Sequence, residues 1–126
     1  MSPKILIVDD SDTTLLMEEM LLKKQNFQVV KAHNGREAVE VAIRELPNLI
    51  LMDVVMPVMD GFAACREMRR HDKLQSVPII MISSRGEPQS IESGFESGCN
   101  DYLTKPIQSH EFLQIVDSYL AAEKAK

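Results

Sequence analysis

The sequence has no apolar run long enough to cross a bilayer. Its strand-like apolar runs, Ile5–Val8, Leu49–Met52 and Ile79–Ile82, hold four residues each, where a spanning helix needs about 20. Met1-Ser2-Pro3-Lys4 leads straight into the first run and then into two aspartates, which is not the pattern of a signal peptide. Cysteine is scarce. Cys65 and Cys99 are the only two, and their spacing suits neither a metal nor a disulfide, so reduced thiols and a cytoplasmic setting are expected. Clustered positive charge is also missing. Lys23-Lys24 and Arg69-Arg70 are doublets that read as solvated helix ends, and the formal net charge is −5. Both features argue against nucleic acid, whose phosphates select clustered Lys and Arg. No repeat, linker or low-complexity stretch divides the chain. Its 126 residues suit one domain, 1–126, with an ordered core of about 3–122. The Met1 start is what a complete chain would show, and the polar tail Glu123–Lys126 is expected to fray.

What is present is material for one core. Hydrophobic residues make up 44% and charged residues an ordinary 26%. The apolar runs fall at Ile5–Val8, Gln28–Ala32, Leu49–Met52, Ile79–Ile82 and Tyr102–Thr104. Three of them lack polar alternation, as strands buried on both faces do. Helical spacing fills the gaps. Ser11–Lys24 carries Met17, Met20 and Leu21 on one face, and Gly35–Leu46 carries Ala38, Val39, Ala42 and Leu46. Gly61–Arg70 carries Phe62 and Cys65, with Met68 or Arg69. Ser109–Ala122 carries Phe112, Leu113, Val116 and Leu120. Asn34 with Glu37 three residues on resembles a capping box. The fourth segment, Glu87–Ser97, holds three serines and Gly94, with Ile91 and Phe95 as its only large apolar anchors. Glycine inside a helix costs about 0.5–1 kcal/mol relative to alanine, so this helix is expected to be the least stable of five. Alternating strand and helix predicts an α/β fold, a parallel sheet with helices on both faces.

Ligands of open α/β sheets bind at the carboxyl ends of the strands. The first run ends in Asp9 and Asp10, the third in Asp53, the fourth in Ser83 and Ser84, and the fifth in Lys105-Pro106. Each alone has a plainer reading, as a turn former, a helix cap or a solvated loop. Their occurrence together at four strand ends points to chemistry. Three converging carboxylates repel one another unless neutralised, and Mg²⁺ (or Mn²⁺) suits such an all-oxygen set. Asp10 and Asp53 are candidate direct ligands, Asp9 one acting through water, and a backbone carbonyl just after Asp53 a further oxygen. A carboxylate can serve as a nucleophile. Phosphoryl transfer needs compensation of charge on the equatorial oxygens, which the cation, the Lys105 ammonium and the Ser83 hydroxyl would supply.

The segments Ile5–Asp10, Ala32–Ala38, Leu51–Pro57, Met59-Asp60-Gly61, Pro78–Ser83, Gly98–Leu103 and Lys105-Pro106, in this order, resemble the receiver domain of bacterial response regulators, over nearly the whole chain. The resemblance implies a flavodoxin-like strand order 2-1-3-4-5 and Asp53 as phosphoacceptor. It implies Mg²⁺ held by Asp9, Asp10, Asp53 and the backbone carbonyl of Val55. Ser83 is the implied hydroxyl that moves toward the phosphoryl group. Tyr102 is the aromatic that turns inward with it, although it also reads as a half-buried strand residue. Lys105 is implied to bond a phosphoryl oxygen, with a cis peptide to Pro106. Departures are few: Ser83 stands for the commoner threonine and Cys99 for a small alanine. Val55 and Arg85 occupy positions that influence phosphate lifetime.

The implied function is Mg²⁺-dependent acceptance of a phosphoryl group from a histidine kinase or histidine phosphotransfer protein, followed by binding of a downstream protein. Catalysis extends only to the domain's own phosphorylation and dephosphorylation. The output face is expected on the fourth helix, fifth strand and fifth helix, and a monomer is the expected state. The alternative is a pseudo-receiver that binds a partner without phosphotransfer. A haloacid-dehalogenase-type phosphatase would want a second Asp two residues after Asp53, where Val55 stands. Nucleotide, dinucleotide or flavin binding would want a Gly-rich or Ser/Thr-rich loop where Asp9-Asp10 sits. His33, His71 and His110 have no ligand spacing and read as solvated, and Met56 and Met59 as core filling.

Overall fold

The computed structural model describes residues 2–124, with side chains described for 2–121. The elements alternate as β1 (Lys4–Val8), α1 (Asp12–Lys23), β2 (Gln28–Ala32), α2 (Gly35–Glu45) and β3 (Leu49–Met52). They continue as α3 (Gly61–Arg69), a short 3₁₀ turn (Asp72–Leu74), β4 (Ile79–Ser83), α4 (Pro88–Ser97), β5 (Asp101–Thr104) and α5 (Ser109–Lys124). The expected fraying of the tail falls on residues whose side chains, and for 125–126 the backbone too, lie outside the described set.

The five strands pair in parallel in the order β2-β1-β3-β4-β5, the order the resemblance implied. Successive strand residues point to opposite faces, and both faces are covered. Leu6, Val8, Ile50, Met52, Ile79 and Met81 pack with Ala38, Val41 and Ala42 of α2 and Ala64, Cys65 and Met68 of α3. Ile5, Ile7, Leu49, Leu51, Ile80 and Ile82 pack with Leu15 and Leu22 of α1 and Phe112, Val116 and Leu120 of α5. Burial on both sides is why three strands read as unbroken apolar runs.

Helix starts follow local chemistry. The Ser11 hydroxyl accepts from the Thr14 amide, the Asn34 side chain from the Glu37 amide, and the Asp60 carboxylate from the Ala63 amide. The box at Asn34 is only half formed, because Glu37 reaches His33 Nδ1 at 3.3 Å instead of returning to Asn34. Helix α4 has no side-chain cap; it opens on Glu87 with Pro88 in the first turn.

Four expectations need correcting. In α1, Met17 and Met20 are 61% and 56% exposed, and the buried residues are Leu15 and Leu22. In α2, Leu46 is exposed and ends the helix in a left-handed conformation, while Val41 takes the core place. In α4, Phe95 is half exposed, and the buried residues are Gly94 and Ser97. Arg69 is not a solvated helix end. Its guanidinium donates to the carbonyls of Gly98, Leu74 and Val77 and to Asn100 Oδ1, at 2.7–2.9 Å. It thereby ties the end of α3 to the loops before β4 and β5. The remaining expectations for methionine hold: Met56 is buried and Met59 packs against the core.

Candidate functional site

The site forms where neighbouring strands end level. Val8, Met52 and Met81 stand side by side across β1, β3 and β4. The ladder continues one residue further. Asp53 N–H donates to the Val8 carbonyl at 3.0 Å, and Asp9 N–H to the Ala32 carbonyl at 3.2 Å. This edge holds the switch point between β1 and β3, on either side of which the strand order runs in opposite directions, the crevice in which open α/β sheets bind ligands. Lys105, after β5, is brought in by its backbone, whose N–H donates to the Ser83 carbonyl at 2.8 Å. Its peptide bond to Pro106 is cis.

Carboxylate oxygens of Asp9, Asp10 and Asp53 lie within 4.8 Å of one another. They play unequal parts. Asp9 is buried and each of its oxygens accepts one bond: Oδ1 from the Ser11 amide at 2.9 Å and Oδ2 from Lys105 Nζ at 3.0 Å. Asp10 is exposed. Asp53 accepts the Val54 amide on Oδ1 at 2.8 Å, and its Oδ2 lies 3.7 Å from Lys105 Nζ. Burial pushes the Asp53 carboxyl above the usual carboxylate range, Lys105 pulls it down and Asp9 pushes it up again. Lys105 is held above the usual lysine range: burial works against its charge, but the hydrogen bond to Asp9 and the field of Asp53 outweigh it. One ammonium facing three carboxylates leaves the crevice short of positive charge. An oxygen-only donor set with excess negative charge fits a hard divalent cation. Val55 has an exposed side chain. Among the described residues its carbonyl accepts no hydrogen bond, so it is free to join such a set.

Gly61 explains how the loop after Asp53 folds back. A Cβ there would collide with the Asp53 carbonyl oxygen, and the Gly61 amide donates to the Val54 carbonyl at 2.8 Å. Only a residue without a side chain lets the start of α3 lie against the Asp53 backbone.

Ser83 is fully buried at the end of β4, its hydroxyl accepting from the Arg85 amide at 3.1 Å. Tyr102 is half-buried, and its hydroxyl donates to the Arg85 carbonyl at 2.6 Å. The same peptide segment therefore holds both residues. Asp9, Asp53 and Lys105 are joined directly by hydrogen bonds and ion pairs; Ser83 and Tyr102 are linked to each other through Arg85.

One residue escaped the sequence reading. Glu18, on α1, lines a cleft of about 300 Å³ between α1 and α5 with Met17, Leu21, Ile82, Lys105 and Phe112. Burial, then the field of Asp9, pushes its carboxyl up to about 8. The signal was present in the sequence: Glu18 stands three residues after Leu15 and four before Leu22, on the stripe that α1 turns inward. The histidines carry no part of the site. His33 lies at the rim, 3.2 Å from Asp12 and 3.3 Å from Glu37, His71 is half-buried and His110 exposed.

Comparison with known proteins agrees with this geometry. The family model described as the response regulator receiver domain matches residues 5–117. The chain belongs to the response regulator receiver family. The receiver is 36% identical over 118 residues to Protein PilH of Pseudomonas aeruginosa, covering 94% of this chain and 98% of that one. It is 38% identical over 120 residues to the transcriptional regulatory protein SrrA of Staphylococcus aureus, covering 95% of this chain but only 48% of that protein. Among solved structures it is similar to the receiver domain of the sensor histidine kinase PA1611 from Pseudomonas aeruginosa, whose crystal structure has a magnesium ion coordinated in the active site cleft. The TM-score is 0.89 at 31% identity, over 96% of this chain and 99% of that one. The chain is thus a receiver domain of two-component systems. Among the described residues, no helix is long and apolar enough to cross a membrane.

Proposed function

We propose that this receiver accepts a phosphoryl group on Asp53 from a phosphohistidine, that Mg²⁺ held by Asp10, Asp53 and the Val55 carbonyl assists, and that the signal passes on by protein binding. The observation that carries the reading is the joint position of Asp9, Asp10, Asp53 and Lys105 within one crevice. A pseudo-receiver has no need of a complete acid, hydroxyl and lysine set.

Asp53 Oδ2 is the nucleophile, because Oδ1 is engaged by the Val54 amide. A bond forms from this oxygen to phosphorus as the bond from phosphorus to the donor imidazole nitrogen breaks. The imidazole keeps the electron pair. Mg²⁺, when bound, neutralises charge on the phosphoryl oxygens and on the acid cluster. Lys105, already 3.7 Å from Oδ2, is placed to bond one oxygen of the transferred group, and the Ser83 hydroxyl another. Asp9 keeps Lys105 charged and oriented through Oδ2, and acts on the cation through water.

The donor is a histidine kinase or histidine phosphotransfer protein, the receiver acts as a monomer in the cytoplasm, and its only catalysis is on its own phosphorylation and dephosphorylation. As the phosphoryl group arrives, Ser83 turns toward it and the Arg85 segment follows, with Tyr102 attached by its hydroxyl. Helix α4 is thereby repositioned. Borohydride reduction of the phosphorylated protein tests the assignment: an acyl phosphate at Asp53 is converted to homoserine at position 53 in peptide mapping. Homoserine at another position, or none while phosphate is retained, contradicts it.

A further inference from the structure

Helix α4 meets β5 through a residue with no side chain. A Cβ at Gly94 would lie 2.8 Å from Tyr102 Cδ2 and 3.1 Å from Cε2, closer than carbon atoms pack without one of them moving. The ring cannot give way cheaply, because its hydroxyl is fixed to the Arg85 carbonyl at 2.6 Å. Around this point α4 is held unequally. Its far end is clamped where Arg69 bonds the Gly98 carbonyl and Asn100. Its near end has no side-chain cap and borders a cleft of about 340 Å³ lined by Phe62, Arg85, Gln89 and Ser93.

We propose that Gly94 is a positioning residue for the switch: it forms the seat that lets the Tyr102 ring lie inward against α4, and through that seat the Asp53 site sets the position of the helix. The claim rests on the receiver reading for its functional half, and on packing alone for its structural half. The inward ring holds the Arg85 carbonyl, and the Arg85 amide holds the Ser83 hydroxyl at 3.1 Å. A side chain at 94 evicts the ring, releases Arg85 and disfavours the arrangement in which Ser83 and Tyr102 move with the phosphoryl group. Gly94 touches none of the acid cluster, so cation binding is independent of it.

Two opposing effects make the test sharp. Replacing an interior helical glycine by alanine ordinarily stabilises a helix, whereas a Cβ at 2.8 Å from a pinned ring opposes it. Overpacking of this kind typically exceeds the propensity gain. The experiment compares wild type, Gly94→Ala, Tyr102→Ala and the double variant by amide exchange in 88–97 and by titration with Mg²⁺ and then beryllofluoride, a phosphoryl analogue. Gly94→Ala is expected to speed α4 exchange and to weaken beryllofluoride about tenfold, with Mg²⁺ affinity unchanged. In the Tyr102→Ala background the sign reverses: alanine at 94 slows α4 exchange and leaves beryllofluoride affinity as it is in Tyr102→Ala. Wild-type beryllofluoride affinity in Gly94→Ala, or a loss of equal size in both backgrounds, overturns the proposal. If wild type takes up no beryllofluoride, the receiver reading fails and the coupling with it, while the exchange data still decide whether Gly94 seats the ring.

Discussion

Asp9 has both carboxylate oxygens engaged, one by the Ser11 amide and one by Lys105. Removing the ammonium leaves a buried carboxylate with one partner, facing two other acids. Lys105→Met is therefore expected to lower stability by roughly 2 kcal/mol in chelator, measured by urea denaturation. Added Mg²⁺ should return most of that loss, because a cation relieves the same repulsion. A variant equally unstable with and without Mg²⁺ would place the defect elsewhere. Glu18 gives a prediction of pH dependence. Its folded-state pKa of about 8 lies above the ordinary value of 4.5, so between these limits the folded protein keeps a proton that the unfolded chain releases. Stability from this group is full below pH 4.5 and is lost as pH rises toward 8. Glu18→Gln in chelator should match wild type near pH 4.5 and melt higher at pH 9; parallel melting curves across that range would refute it. At this scale the sequence showed what to look for at strand ends, since Asp9, Asp53, Ser83 and Lys105 carry groups with few other reasons to gather there. It could not show which oxygens are already taken, because that depends on the Ser11 and Val54 amides.

Helices were harder to read than strands. In α1 the inward stripe is Leu15, Glu18 and Leu22, and the acid in its middle hides it. The adjacent residues Met17 and Met20 make that side more apolar in composition yet are exposed, and only their neighbour Leu21 packs at the edge of the core. Met is flexible and tolerates exposure, so a hydrophobic count alone selects the wrong face. Arg69 misled for the opposite reason: a charged residue at a helix end is ordinarily solvated, and the three carbonyls and the Asn100 side chain converging on it justify its partial burial. Helix α4 lacks a cap, and the physical remedy is specific. Glu87→Asp supplies a side chain short enough to accept a first-turn amide. It should stabilise the helix by about 1 kcal/mol, read as roughly fivefold slower exchange in 88–97. No slowing there would show that α4 is limited by its packing on β5 and not by its start.

For the molecule as a whole, architecture was legible because it follows from pattern. Buried parallel strands read as unbroken aliphatic runs and the crossovers as amphipathic segments. The order of strands within the sheet did not follow from pattern, and came from the resemblance alone. The cation links site to stability. Binding to the folded state at 100 times its dissociation constant adds about 2.7 kcal/mol, so Mg²⁺ should raise the melting temperature by several degrees. Asp10→Asn should abolish most of that rise, since Asp10 is the exposed acid and its side chain forms no hydrogen bond or ion pair among the described residues. An unchanged rise would remove Asp10 from the ligand set.

The central claim is that Asp53 is the phosphoacceptor, and the direct measurement is intact mass after incubation with acetyl phosphate and Mg²⁺, wild type beside Asp53→Asn. The expected result is a gain of one phosphoryl group, ~80 Da from the chemistry of the adduct, absent in the variant and absent with chelator. A wild type that gains no mass, or an Asp53→Asn variant that gains the same mass, would contradict the account.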